Sequence, residues 1–204
     1  MTTAHKSRTP LTVVTDTTDE TADLDVEWRS QTVIDQYSPE HQFVGSLMWL
    51  TATQAKPLLE LVPDNAIWSP QTRWAYELIR ALVDAGTDPT PVSVLAAGRR
   101  QPAREALEPN EPPNANKHKQ LALYLFDAYS QAIAPAASIE SYAREVLDEA
   151  YRRAFDTFGI RMQQLAACGA DRDDLTEQFA MIRDELAELW RRTETATKPQ
   201  RAQR

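Results

Sequence analysis

Apolar residues recur along the last third of the chain at intervals of three to five residues, mostly with the spacing of one face of an α-helix. The stretch from Ile139 to Leu165 keeps this spacing, and Gly169 then interrupts it. After Asp171, which can cap a helix, the apolar positions alternate at intervals of four and three and make a heptad seam. The members of this seam are Leu175, Phe179, Ile182, Leu186 and Leu189. Two long helices joined by a turn at residues 167–170 predict a helical hairpin.

Shorter helical patterns precede the hairpin. Ser38 with Pro39, and Ser69 with Pro70, each combine a capping hydroxyl with a proline at the first helical position. Apolar residues at helical spacing follow both pairs, and a further helix is predicted over residues 118–133. No run alternates apolar and polar residues with the period of a β-strand. The pattern therefore predicts an all-α protein, in which a globular helical bundle is followed by a long C-terminal helical hairpin.

The distribution of charge divides the chain further. Residues 1–37 carry seven acidic and three basic residues and lack sustained periodicity, which is typical of a disordered segment. From residue 191 onward, five residues are basic and one is acidic. We predict a disordered acidic tail over 1–37, a globular bundle over 38–136, a hairpin that mediates dimerisation over 137–192 and a basic disordered tail over 193–204.

The overall composition limits the function classes. The chain has 204 residues, 42% of them hydrophobic, which suits one domain with a substantial core. Its net charge of −8 argues against a free-standing DNA-binding surface, because phosphate binding needs clustered Lys and Arg. No signal segment is apparent, and no run approaches the about 18 apolar residues of a membrane span. We expect a cytoplasmic protein without a membrane contact.

The residues that usually carry chemistry are sparse. The five glycines form neither a GxxxxGK[ST] nor a GxGxxG pattern, so no phosphate-binding loop of the Walker A or dinucleotide type is predicted. The three histidines lack the spacing of a helix-borne metal site, and the single cysteine, Cys168, cannot form an intrachain disulfide or a thiolate zinc cluster. A Cys–His nucleophile pair stays open, but an inert thiol at the hairpin turn is favoured. We predict no catalytic centre, no cofactor and no metal.

The five tryptophans raise the question of base stacking on single-stranded nucleic acid. Trp49, Trp68 and Trp74 lie in or beside apolar helical stripes, which favours core packing. Trp190 follows the heptad seam, where it could anchor a helical interface or cap the hairpin. The predicted oligomer interface consists of Leu175, Phe179, Ile182, Leu186, Leu189 and Trp190. The candidate nucleic-acid contacts, for which a solvated tail is the favoured alternative, are Arg191, Arg192, Lys198, Arg201 and Arg204.

Two segments in the first half of the chain resemble the N-terminal domain of DnaB-type replicative helicases. The first, PEHQFVGSLMWLTATQA, is similar to that domain's Glu-x-x-Val-Leu-Gly-Ser/Ala-Leu-Leu helix, and its matching residues are Glu40, Val44, Gly45, Ser46 and Leu47. The second, IWSPQTRWAYELIRAL, is similar to its Phe-Tyr-x-Pro-x-His-Arg-x-Ile-Phe-x-Ala-Ile segment, and its matching residues are Trp68, Pro70, Arg73, Tyr76 and Ile79. Thr72 stands where the family often has His.

Two later segments follow in the same order, so the resemblance covers about residues 38–192. GTDPTPVSVLAAGRR is similar to the family's Gly-x-Pro-Val-Asp-x-x-Thr-Val stretch, and ASIESYAREVLDEAYRRAF resembles its Asn-x-x-Tyr-Tyr-Ala-x-x-Val-x-x-x-x-x-x-Arg-x-x-Ile segment. The matching residues of the last segment are Tyr142, Ala143, Val146 and Arg153. The chain departs from the family in two ways. A proline-rich loop over 101–116 replaces a Gly-Gly-x-x-Tyr-Leu turn, and the 204 residues include no RecA-like ATPase.

The resemblance implies an assembly role. In that family the domain is a helical bundle with a protruding hairpin, hairpins pair between subunits, and the domains form a collar over the hexameric motor that also receives the primase. It implies a protein-interaction and oligomerisation module in DNA replication, a scaffold for helicase, primase or loader contacts, that self-associates through its hairpin and touches DNA weakly or indirectly. We expect no enzyme activity, because the sequence lacks a Walker A motif and any recognisable catalytic constellation, although the full-length family is an ATP-dependent DNA helicase. The alternatives are a motor-less fragment or split part of a replicative helicase, and a nucleic-acid-binding protein that uses its basic tail.

Overall fold

The computed structural model describes residues 33–104 and 114–197. In these two ranges every regular element is a helix and none is a strand, so the predicted all-α class is confirmed. The α-helices are α1 (Pro39–Leu47), α2 (Ala52–Leu61), α3 (Pro70–Asp84), α4 (Pro91–Gly98), α5 (Ala115–Ser130), α6 (Pro135–Ala167) and α7 (Arg172–Thr197), and a 3₁₀ turn, Asp64–Ala66, separates α2 from α3. None of these helices is both long enough and apolar enough to cross a membrane.

All seven helices belong to one compact unit, which begins at Gln36. Residues 33–36 form a helical turn within the stretch that the sequence assigned to the acidic tail. The rest of that tail, residues 105–113 of the proline-rich loop, and the basic tail beyond Thr197 lie outside the described residues, so the predicted division into tails and domains stays a prediction.

A side-chain cap, a proline or both begin each helix of the bundle. The predicted capping hydroxyl of Ser69 is wrong, because Ser69 makes no capping hydrogen bond, although Pro70 does begin α3. The Ser38 hydroxyl accepts the His41 amide at 3.4 Å, and Pro39 follows at the first helical position. Thr51 and Gln54 form a reciprocal capping box at the start of α2. This helix continues through Pro57 to Leu61.

Helix α1 lies at the centre of the bundle, where it packs against α3, α5 and α6. Its apolar side chains Phe43, Val44 and Leu47 are completely buried. Gly45 lies directly against the backbone of Ala128 in α5, so that a Cβ atom here would overlap the Ala128 carbonyl oxygen. The glycine is therefore needed for the close approach of two helices, and not for an unusual backbone angle.

The predicted core position of the tryptophans is confirmed for one residue and wrong for two. Trp74 is buried, whereas Trp49 and Trp68 are 51% and 71% exposed. Trp49 stacks on Tyr129 with ring centroids 4.3 Å apart and donates its indole N–H to the Tyr129 carbonyl. Both exposed residues lie at the ends of apolar stripes, where a large ring reaches the rim of the core.

The hairpin consists of α6 and α7, with 33 and 26 residues. Gly169 adopts a positive φ of 73° at the turn, and the Ala170 amide donates to the Leu165 carbonyl at 3.2 Å. This is the left-handed helix ending that glycine favours. Asp171 then accepts the amides of Asp173 and Asp174, both at 3.0 Å, and so caps α7 as predicted. Helix α7 continues five residues beyond Arg192, the predicted end of the hairpin.

Candidate interaction surface on the helical hairpin

The heptad seam of α7 divides into two groups of residues. Ile182 and Leu189 are buried to 6% and 7% exposure, so they hold the two helices of the hairpin together. Leu175 and Leu186 are half-buried. Phe179 remains 55% exposed, as does Trp190 at 52%. Of the six residues predicted for the oligomer interface, two are therefore occupied inside the hairpin, and the assignment of the others stays a prediction.

The exposed members of the seam adjoin apolar residues of α6. The Tyr151 ring lies 5.0 Å from the Phe155 ring and 5.9 Å from the Trp190 ring, measured between centroids, and so joins the two helices. Helical periodicity places residues seven or eleven positions apart on nearly the same side, so Met162 lines up with Phe155 and Phe179 with Trp190. We name this surface the hairpin face. Its residues are Tyr151, Phe155, Met162, Phe179, Leu186 and Trp190.

The hairpin face is apolar and substantial. Phe155, Phe179 and Trp190 are each just over half exposed, and Met162 is 39% exposed. With aromatic side chains of roughly 150–250 Å² each, the exposed parts of the six residues sum to roughly 400–500 Å². Contiguous apolar patches of this size on a soluble protein usually mark a binding surface. In contrast, Ile160 and Met181 are also exposed apolar residues, but helical spacing turns them away from this face.

The two candidate nucleic-acid contacts that the structure describes are engaged within the chain. Arg191 pairs with Glu188 at 2.7 Å, and its side chain is 71% exposed. Arg192 pairs with the same carboxylate at 2.9 Å and donates to the carbonyls of Glu60 and Leu61 at 2.8 and 3.0 Å. Its guanidinium therefore serves the protein's own fold. The other three candidates, Lys198, Arg201 and Arg204, lie outside the described residues.

A buried polar cluster lies where α6 leaves the bundle, near Arg153, which we name the hairpin root. The sequence did not predict this cluster as a site. Glu40, only 4% exposed, accepts the amides of Trp68 and Ser69 at 2.9 and 3.0 Å. Arg153 of α6 approaches the same carboxylate at 3.2 Å and donates to the Ala66 carbonyl at 2.6 Å. Glu40 and Arg153 both match the family patterns in the sequence, but no rule of sequence reading pairs two residues so far apart.

Electrostatics at the root follow from burial. Partial burial raises the pKa of the Glu149 carboxyl, and the attraction of Arg153 opposes that rise only in part. The Arg153 guanidinium also lies over the Trp68 ring, 5.8 Å from its centroid. Trp68, Arg153, Phe158 and Leu189 line part of a cleft of about 280 Å³ between the bundle and the hairpin.

Residues that could hold a metal or act as a nucleophile are dispersed in the described part of the chain. No group of three His, Cys, Asp or Glu side chains is arranged there to bind a metal ion. Cys168 is exposed at the hairpin turn, where its thiol donates to the Leu165 carbonyl at 3.2 Å. The ring of His118 contacts Arg99 and the Leu95 carbonyl, both at 3.3 Å, at the start of α5.

Comparisons with known proteins bear on the fold. No protein family and no curated protein matches the chain by sequence. Among solved structures, the N-terminal domain of DnaB helicase from Mycobacterium tuberculosis is similar, with a TM-score of 0.54 and 24% sequence identity. The similarity covers 75% of this chain and 95% of that one. This chain therefore has the fold of a DnaB N-terminal domain, which agrees with the resemblance in sequence.

Proposed function

We propose that this chain is a non-catalytic protein-interaction and oligomerisation module that acts in DNA replication in the cytoplasm. The single observation that carries the proposal is the hairpin face, which presents exposed aromatic residues on a rigid pair of helices in a fold shared with a replicative helicase domain. A second copy of the chain is the first partner, and a replicative helicase, primase or helicase loader is the second.

The energetics of the hairpin face support docking to a second copy. Burying a large apolar side chain contributes roughly 1.5–3 kcal/mol before the costs of association. Stable interfaces bury about 800 Å² on each partner, so the hairpin face would supply about half of that area as its apolar centre. The polar residues around this apolar centre would supply the remainder as its rim.

Light scattering on variants of the hairpin tests the self-association. Wild type is expected to contain dimers or higher oligomers at tens of micromolar. Phe179→Asp places a charge in the apolar centre and should give a monomer, because an unpaired charge is costly in a buried interface. Met181→Asp is the matched control, since Met181 is 47% exposed on another side of the same helix. A wild type that stays monomeric, or two variants that behave alike, would contradict the proposal.

Adding a replicative helicase or a primase to the same measurement tests the role in replication. The proposal predicts a complex of added mass with at least one of them. Dissociation of that complex by Phe179→Asp would assign it to the hairpin face. If neither protein binds, the role in replication is wrong, and the module docks elsewhere.

A further inference from the structure

Arg192, in the C-terminal part of α7, forms hydrogen bonds to the bundle. The Nη1 atom of Arg192 donates to the carbonyl oxygens of Glu60 and Leu61 at 2.8 and 3.0 Å, and its Nε atom faces Glu188 at 2.9 Å. Ala196, one turn further along, packs against the hydrophobic core of the bundle. These contacts connect residues that lie more than 130 positions apart in the chain.

The acceptors of Arg192 are the last carbonyls of α2, which have no partner within their own helix. The next carbonyl, that of Val62, accepts the Tyr76 hydroxyl at 2.6 Å and the Arg80 guanidinium at 2.8 Å. Side chains from α3 and α7 thus complete the end of α2. A positive charge at this end also interacts favourably with the helix dipole.

The position of Arg192 relates it to the hairpin face. Trp190 belongs to that face and precedes Arg192 by two residues, so both lie in the same turn of α7. The second attachment is Arg153, which holds α6 to Glu40 and to the Ala66 carbonyl. A cleft of about 280 Å³ lies between the outer hairpin and the bundle, so the polar contacts of Arg153 and Arg192 lie on either side of a gap in the apolar packing.

We propose that Arg192 is a positioning residue that fixes the angle of the hairpin on the bundle and thereby the orientation of the hairpin face. Without it, α7 loses its hydrogen bonds to α2, so the outer hairpin is supported mainly by α6, whose first half is buried in the bundle, and bends more freely. The consequence for docking rests on the proposed function, because a face of variable orientation pays a larger entropic cost on binding. The positional effect itself needs no partner.

Distances between two spin labels on one chain test the inference. Cys168 is the only cysteine, and it is exposed at the far end of the hairpin, so it carries the first label. Val92→Cys, at a position 78% exposed in the first turn of α4, carries the second. Labelled chains are diluted in unlabelled protein so that only distances within one chain contribute.

Arg192→Ala is expected to broaden the distance distribution relative to the parent chain. Arg191→Ala is the matched control, because Arg191 shares the Glu188 partner and donates to the Ala187 carbonyl of its own helix. Arg192→Lys should give a distribution of intermediate width, since an ammonium group donates to a carbonyl but lacks the planar guanidinium that reaches two acceptors. Unchanged distributions in both Arg192 variants would overturn the inference. If Arg192→Ala does not fold, the lysine variant decides alone.

Light scattering on the same variants separates this inference from the proposed function. Arg192→Ala should raise the dissociation constant of the dimer about tenfold, because a hairpin face of variable orientation must be ordered on binding, and Arg191→Ala should leave it unchanged. If every form is monomeric, the proposed function fails, while the distance distributions still decide the positioning role. If dimers form but tolerate Arg192→Ala with a narrow distribution, the positioning role fails alone.

Discussion

The bundle and the hairpin bury their apolar residues to very different degrees. In the bundle, side chains as large as Tyr76 and Phe43 are completely covered, because several helices surround α1. In the outer hairpin, beyond residue 150, Ile182 and Leu189 are the only large apolar side chains of the described chain that are buried. Two helices can cover one row of side chains between them, but a second row on the same side stays in solvent. The bundle therefore covers its largest core side chains within one chain. The outer hairpin leaves a row of aromatic side chains exposed, as α5 leaves Leu123 and Phe126.

We expect the largest loss of stability from a substitution in the core of the bundle. Gly45→Ala places a Cβ atom against the Ala128 carbonyl and must separate α1 from α5, which we expect to lower the free energy of unfolding by about 3 kcal/mol. Gly159→Ala, in the exposed part of α6 with no atom within 4 Å, should instead raise it by up to about 1 kcal/mol. Urea unfolding of the two variants measures both changes. Equal effects would mean that the helices are less closely packed than described.

We expect a somewhat smaller loss of stability from a substitution in the polar cluster between the bundle and the hairpin. Glu40→Gln keeps the side-chain shape but leaves one oxygen to serve two amides and Arg153, so we expect a loss of about 2–3 kcal/mol. Glu60→Gln is the control, because the exposed Glu60 side chain should change stability by less than about 0.5 kcal/mol. Thermal unfolding of the two variants compares them directly. A Glu40 variant as stable as the control would show that the cluster at the hairpin root contributes little.

The sequence predicted the bundle and the hairpin because both depend on local signals. Ser38 with Pro39, and Gly169 with Asp171, act within a few residues, and the structure contains these caps and this turn. The apolar seam of α7 was also visible. The sequence did not show which members of the seam are buried and which are exposed, because burial depends on the α6 side chains that pack against each one.

The sequence could not predict long-range contacts, for a different reason. Arg192 was grouped with the basic tail by charge alone, yet it binds the end of α2. Trp49 and Trp68 were assigned to the core by their apolar neighbours, yet both lie at its rim. Charge and hydropathy describe a residue's preference, whereas its partner is determined by the packing of distant helices.

Hydrogen exchange at low and high protein concentration shows whether the chain self-associates through the hairpin face, because it reports which region of the chain becomes protected. At a concentration where oligomers form, exchange should slow in α7 and in the part of α6 from Tyr151 to Met162, relative to dilute protein. The amides of α1 to α5 should exchange at the same rate in both samples. The account is contradicted if protection appears instead around the exposed Leu123 and Phe126 of α5, or if no segment changes across a hundredfold range of concentration.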